Sequence, residues 1–158
     1  MEKRNVLFVM SSLRNGGAER SLVNLLQLLD YDRYNVDLLL FQNEGLFLKQ
    51  VPKAVNIISN CNKLYTLYDN NKAEALKHPY LSAIHMIGTF ISRKKTNSVA
   101  KSRQYRWEHF YKKIVPELTK EYDVAIAYMQ REQTYFLVDK VKAAKKIAWV
   151  HNEYSQLG

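Results

Sequence analysis

Two runs of consecutive apolar residues constrain this chain more than any other feature. Residues 5–10 read NVLFVM and residues 36–41 read VDLLLF, without polar–apolar alternation. A strand apolar at successive positions needs cover on both faces, which a parallel sheet flanked by helices provides. Three more segments read as strands: VNIIS at 55–59, DVAIAY at 123–128 and KIAWV at 146–150. Helical patterns fall between them. Residues 18–29 set Leu22, Leu25, Leu26 and Leu29 on one face. Residues 45–50 suit a helical turn, and residues 71–78 a short helix stopping before Pro79. Residues 80–91 carry an apolar stripe of Tyr80, Ile84, Ile87 and Ile91. Residues 102–121 carry Trp107, Phe110, Tyr111, Ile114 and Leu118 on one face, with Pro116 kinking that helix or opening a new turn. Residues 132–142 form the last predicted helix. Strands and helices alternate, so the fold class is α/β, a mostly parallel sheet with helices on both faces. The 158 residues suffice for one domain with its own core, spanning 1–158.

Charge and cysteine content narrow the function classes. No apolar run approaches the roughly 18 residues of a membrane-spanning helix. The opening MEKRNVLFVMSS has a basic start and an apolar run, as a secretory signal does. The run covers only residues 6–10 before a helix pattern begins, so it reads as a buried strand. A lone cysteine, Cys61, allows no internal disulfide, as suits a reducing cytosol, and reads as a structural thiol. The net charge of +9 favours polyanions: nucleic acid, anionic lipid or phosphorylated small molecules. No zinc motif, nucleophile elbow or serine triad is visible. His78, His85 and His109 fall at no metal-ligand spacing and read as surface or hydrogen-bonded histidines.

In an open parallel sheet, ligands bind beyond the carboxyl ends of the strands. Two motifs fall at such ends: the Gly16-Gly17 pair before the first helix, and His151-Asn152 after the last strand. Both should face the same rim. Paired glycines remove Cβ atoms where backbone amides must approach a ligand. The helix that follows presents unpaired N–H groups and partial positive charge, a setting that suits phosphate. Neither a G-x-G-x-x-G fingerprint nor a P-loop is present. A plain tight turn is the other reading of the pair, and an ordinary loop histidine the other reading of His151.

The stretch NGGAERSLVNLLQLLD followed by YNVDLLLF resembles the amino-terminal half of retaining glycosyltransferases of the GT-B fold, the group called glycosyltransferase family 4. The matching residues are Gly16, Gly17, Ala18, Glu19 and Arg20, then Leu25, Leu26 and Leu29. DVAIAY and KKIAWVHNEY resemble the family's later strands. The likeness runs in order along most of the chain, but the Gly-Gly-Ala-Glu loop is its specific part, and residues 60–120 have no counterpart. The resemblance implies a Rossmann-like, acceptor-side domain, one half of a GT-B fold. Gly16 and Gly17 would approach the diphosphate of a nucleotide-sugar donor and leave room for the acceptor. Glu19 would brace the helix start or shape the acceptor site. Arg20 would meet phosphate or lie solvated, and His151 would contact the transferred sugar, with Asn152 beside it on the rim. The donor's nucleotide would be held by a carboxy-terminal domain of the same enzyme, absent from this chain, so the fragment alone should be inactive. No cofactor is implied beyond the donor substrate, and no metal. The family's acceptors imply a bacterial polysaccharide or lipid-linked glycan, and a site in the cytoplasm or at the inner face of the membrane.

Residues 93–113 hold Arg93, Lys94, Lys95, Lys101, Arg103, Arg106, Lys112 and Lys113, opposed only by Glu108. Tyr105, Trp107, Phe110 and Tyr111 are interleaved. Rings among cations suit an anionic membrane surface. Helical spacing of Trp107, Phe110, Ile114 and Leu118 instead favours the rings as core, with the cations on a solvated face. Two alternatives to an enzyme domain stand beside it: a basic nucleic-acid-binding module, less favoured because no recognition motif is present, and a non-catalytic binding domain.

Overall fold

The computed structural model describes residues 2–58, 67 and 77–151. Its elements are β1 (Arg4–Met10), α1 (Gly17–Leu28), β2 (Tyr34–Leu40), β3 (Asn56–Ile58), α2 (Pro79–Lys95), α3 (Val99–Arg106), β4 (Glu121–Ala127), α4 (Glu132–Lys140) and β5 (Lys142–Ala148). The five strands form one wholly parallel sheet in the order β3-β2-β1-β4-β5. This is a Rossmann-like α/β fold. β1 lies at the centre, with Phe8 level with Leu38 on one side and Ile126 on the other. The chain order reverses between β1 and β4, which opens a crevice above their carboxyl ends.

Residues alternate faces along a strand, so β1 and β2 feed two cores. Leu7, Val9 and Leu39 pack with Trp107, Tyr111, Phe136 and Leu137 under α2, α3 and α4. Phe8, Met10, Leu38 and Leu40 pack with Leu22, Val23 and Leu26 of α1. Each fully buried leucine removed from water contributes about 1.5–3 kcal/mol. Cover on both faces therefore explains why β1 and β2 lack polar–apolar alternation. Asp37 lies inside one of them, only 3% exposed. It accepts hydrogen bonds from Tyr122 Oη at 2.7 Å, Lys120 Nζ at 2.8 Å and Asn56 Nδ2 at 2.9 Å. Burial alone would raise its carboxyl pKa, but these three bonds and the Lys120 charge outweigh burial and hold it below the ordinary value.

The sequence expectations need four corrections. On α2, Tyr80 and Ile87 are exposed, and the buried line is Leu81, Gly88 and Ser92. Small residues make this contact: Gly88 lies against Phe110 and the Arg106 stem, and Ser92 bonds Ser102 across the helices at 2.7 Å. An apolar stripe cannot reveal a face built from Gly and Ser. The helix expected over 102–121 ends at residue 111. Its last turn, Trp107–Tyr111, is π-helical, with Lys112 N–H bonded to the Trp107 carbonyl, and the chain then leaves the helix ahead of Pro116. The last helix stops at Lys140, two residues early. β5 begins at Lys142, not Lys146, because an edge strand takes its order from hydrogen bonds to β4 and needs no apolar run. Its exposed lysines protect that edge from further pairing. α2 runs on to Lys95, four residues beyond its expected end, α3 begins at Val99, three residues before its expected start, and shifts of one or two residues occur at the ends of the other strands and of the first helix. Pro79 opens α2 at its first turn, where a missing N–H costs nothing. Cys61, most of the expected 71–78 helix and Asn152 lie outside the described residues. Among the described residues, no helix is long and apolar enough to cross a membrane.

Candidate functional site

The β1–α1 junction shows why the two glycines differ. Gly16 precedes the helix with φ −87° and ψ 163°, an extended conformation open to any residue. Gly17 likewise avoids positive φ. Neither glycine therefore serves to supply left-handed backbone here. At Gly16 the missing Cβ makes room for Glu19, whose carboxylate folds back over that position. A Cβ on Gly17 would meet nothing within 4 Å. Glu19 is the acidic residue of the first turn, where the helix dipole favours negative charge. Arg20 is exposed, and its N–H closes the first helical bond to the Gly16 carbonyl at 3.1 Å.

The loop between β1 and α1 is held by a neighbour that sequence reasoning missed. Leu13 N–H bonds the Glu44 carbonyl, Phe47 N–H the Leu13 carbonyl and Leu46 N–H the Arg14 carbonyl. Arg14 also pairs with Glu44 at 2.6 Å. Gly45 sits at the crossing with φ +131°, and a Cβ there would strike the Leu13 backbone. This glycine, not the Gly16-Gly17 pair, is the one whose backbone conformation side chains disfavour.

Across the crevice, the loop after β4 supplies Tyr128, Gln130, Arg131 and Gln133. Tyr128 is buried, with its hydroxyl 3.0 Å from Ser21 Oγ on α1. Its ring lies 5.0 Å from the His151 ring and 5.2 Å from the Trp149 ring. Tyr128 thus bridges the Gly-Gly helix and His151, which do share one rim. His151 stands three residues past β5, exposed, with its N–H directed at Gln130 Oε1 at 3.4 Å. Gln133 Nε2 donates to Ser11 Oγ and ties α4 to the end of β1. Arg131 precedes α4 at φ 81°, the one non-glycine with positive φ among the described residues. Such strain costs about 1–3 kcal/mol and concentrates at functional sites. Nothing in MQREQT marks Arg131 beforehand, because arginine is not a residue that favours this conformation. Tyr128 was legible only as the end of an apolar strand.

The basic segment divides. Arg103 pairs with the buried Glu132 at 2.6 Å, and Lys112 with Asp139 at 2.7 Å. Asp139 also accepts the Trp107 indole N–H at 2.6 Å. Trp107 and Tyr111 are core residues, so their rings are closed to any surface. Tyr105 stacks on His109. Arg93, Lys94, Lys95, Lys101 and Lys113 remain exposed, with Lys94 Nζ 4.4 Å from the Phe90 ring centre. Arg106 is half-buried and donates to Thr89 at 3.1 Å. His85 Nδ1 lies 2.6 Å from the Leu67 carbonyl and 3.1 Å from the Tyr111 hydroxyl, so this histidine is satisfied internally. Burial pushes its pKa below the ordinary imidazole value, helped by the Arg106 charge, against the Leu67 bond. Among the described residues, no group of three or more His, Cys, Asp or Glu side chains could hold a metal ion.

Comparison with protein-family models, with curated proteins and with solved structures returns no match. The class these observations define is a Rossmann-like parallel α/β fold.

Proposed function

We propose that this chain is the acceptor-side domain of a retaining GT-B glycosyltransferase, acting on a polysaccharide or lipid-linked acceptor. One observation carries the reading. A glycine that its backbone does not require, Gly17, opens onto free space at a helix start on the same rim as His151, with Tyr128 between them. A helix N-terminus bared in this way suits the diphosphate of a nucleotide-sugar, which Arg20 would help neutralise. His151 would then meet the transferred sugar, held in place by its ring contacts with Tyr128 and Trp149. Glu19, folded over Gly16, would set the loop's shape. The nucleotide would be held by a second domain across the cleft, and the exposed cations on α2 would keep the enzyme near an anionic membrane face in the cytoplasm. The family likeness of the Gly-Gly-Ala-Glu loop supports the same reading.

A nucleic-acid module draws less support. Two cations of the basic segment are committed to internal carboxylates and two of its rings to the core. The coding sequence beyond the Gly158 codon tests the proposal. A second α/β domain with two carboxylates about eight positions apart is expected there, and His151→Ala in that longer protein should abolish sugar transfer while leaving the fold intact. A stop codon would sink the single-chain enzyme reading.

A further inference from the structure

A second polar pocket lies away from the glycine rim. It has a volume of 380 Å³ and opens between the end of α2 and the start of α3. Arg93, Arg103 and Arg106 line it, together with Thr89, Ser98 and His85. None of its lining residues is a carboxylate. Glu132 pairs with Arg103 and offsets one of the three charges.

One detail favours an anion over a solvated gap. Arg106 Nε is buried and, among the described residues, has no hydrogen-bond partner. A buried donor without an acceptor is rare in folded proteins and calls for a ligand or an ion. Guanidinium groups match phosphate oxygens with paired donors, which lysines at the surface do not.

We propose that the α2–α3 pocket binds a phosphate-bearing group through Arg93, Arg103 and Arg106. The group belongs either to a soluble phosphorylated compound or to a lipid headgroup. The proposal shares Arg93 with the membrane-facing cations of the glycosyltransferase reading, but it uses neither the Gly16-Gly17 junction nor His151.

Calorimetric titration with inorganic pyrophosphate tests it, on the whole chain and on three variants. Saturable binding that depends on the pocket arginines is expected. Arg106→Met, which keeps the buried stem, and Arg93→Gln should each weaken it about tenfold, the loss of one charge-assisted contact. Lys145→Gln, which removes an exposed charge on β5, should leave it unchanged. Circular dichroism melts check the fold, and if Arg106→Met unfolds, Arg93→Gln carries the test. Co-sedimentation with phosphatidic acid and phosphatidylserine vesicles separates the sources. Preference for phosphatidic acid, lost in Arg93→Gln and competed by pyrophosphate, assigns a lipid headgroup. Pyrophosphate binding without vesicle preference assigns a soluble compound. No saturable binding of pyrophosphate, or an equal loss in Lys145→Gln, overturns the proposal.

Discussion

Replacing Asp37 by asparagine probes the one buried carboxylate within the central strands. Asp37 takes three hydrogen bonds, from Tyr122, Lys120 and Asn56. The substituted amide could still accept from Tyr122 and Lys120 through its carbonyl, and donate to a flipped Asn56. What it loses is charge assistance. A hydrogen bond to a charged group is worth about 1.5–3 kcal/mol and a neutral one about 0.5–1.5. Lys120 is half-exposed, so its share is discounted for solvent screening. The buried Tyr122 contact and the part-buried Asn56 contact then leave about 2 kcal/mol. For a chain of this size that is a fall in Tm of about 4–8 °C. Asp37→Leu strands the Tyr122 hydroxyl and should cost more. The pH dependence has a definite sign. The folded pKa lies below the unfolded one, so the stabilisation is full above the unfolded value near 4 and fades as pH falls through the folded value. Urea denaturation at pH 7 and at pH 3 measures both effects, with D37N showing a shallower acid loss than the parent. Equal midpoints at pH 7 and equal acid losses would refute the role assigned to this cluster.

Four further outcomes are expected. Gly45→Ala should lose about 1–3 kcal/mol, from positive φ and collision with the Leu13 backbone, and chemical denaturation would detect it. Gly17→Ala should keep or slightly raise stability, since its Cβ meets open space at a helix start, yet weaken nucleotide-sugar binding if the proposed glycosyltransferase function holds. Burial, against the Arg106 charge, pushes the Tyr111 hydroxyl up to about 12. Its stabilising effect, about 3 kcal/mol for two pKa units, is therefore full below pH 10 and lost as pH rises toward 12, where tyrosinate absorbance should develop together with unfolding. Tyr128→Phe should cost about 1 kcal/mol through loss of the Ser21 bond, read as a lower Tm, with the sheet retained by far-ultraviolet circular dichroism.

Much of the fold was legible because burial on both faces leaves a continuous apolar signature. β1 and β2 carry it, and so does the leucine face of α1. Elements whose order comes from partners carried less. β5 was misplaced by four residues because its lysine-rich edge is fixed by pairing with β4. The buried side of α2 was missed because Gly88 and Ser92 make the approach to α3, and small residues leave no hydrophobic period. At the candidate site, Gly16-Gly17 and His151 were singled out by their places at strand ends, and Glu19 by the family resemblance. Tyr128, Gln130, Arg131 and Gln133 were not, because what singles them out is a ring contact, an amide facing His151, a strained φ and a bond to Ser11.

The sequence by itself determined that this chain builds a parallel α/β sheet, since only helices on both faces satisfy strands that carry apolar residues on both sides. It also determined that Gly16-Gly17 and His151 lie at the same edge, because parallel strands share one carboxyl side. Tertiary structure alone decided what those residues meet. It placed Tyr128 between α1 and His151, locked the Gly-Gly loop beneath Gly45, and divided the basic segment into internal ion pairs, exposed surface charge and an arginine-lined pocket. Strand character is local and written in consecutive residues. The partners of a side chain depend on segments distant along the chain, and no short window of sequence encodes them.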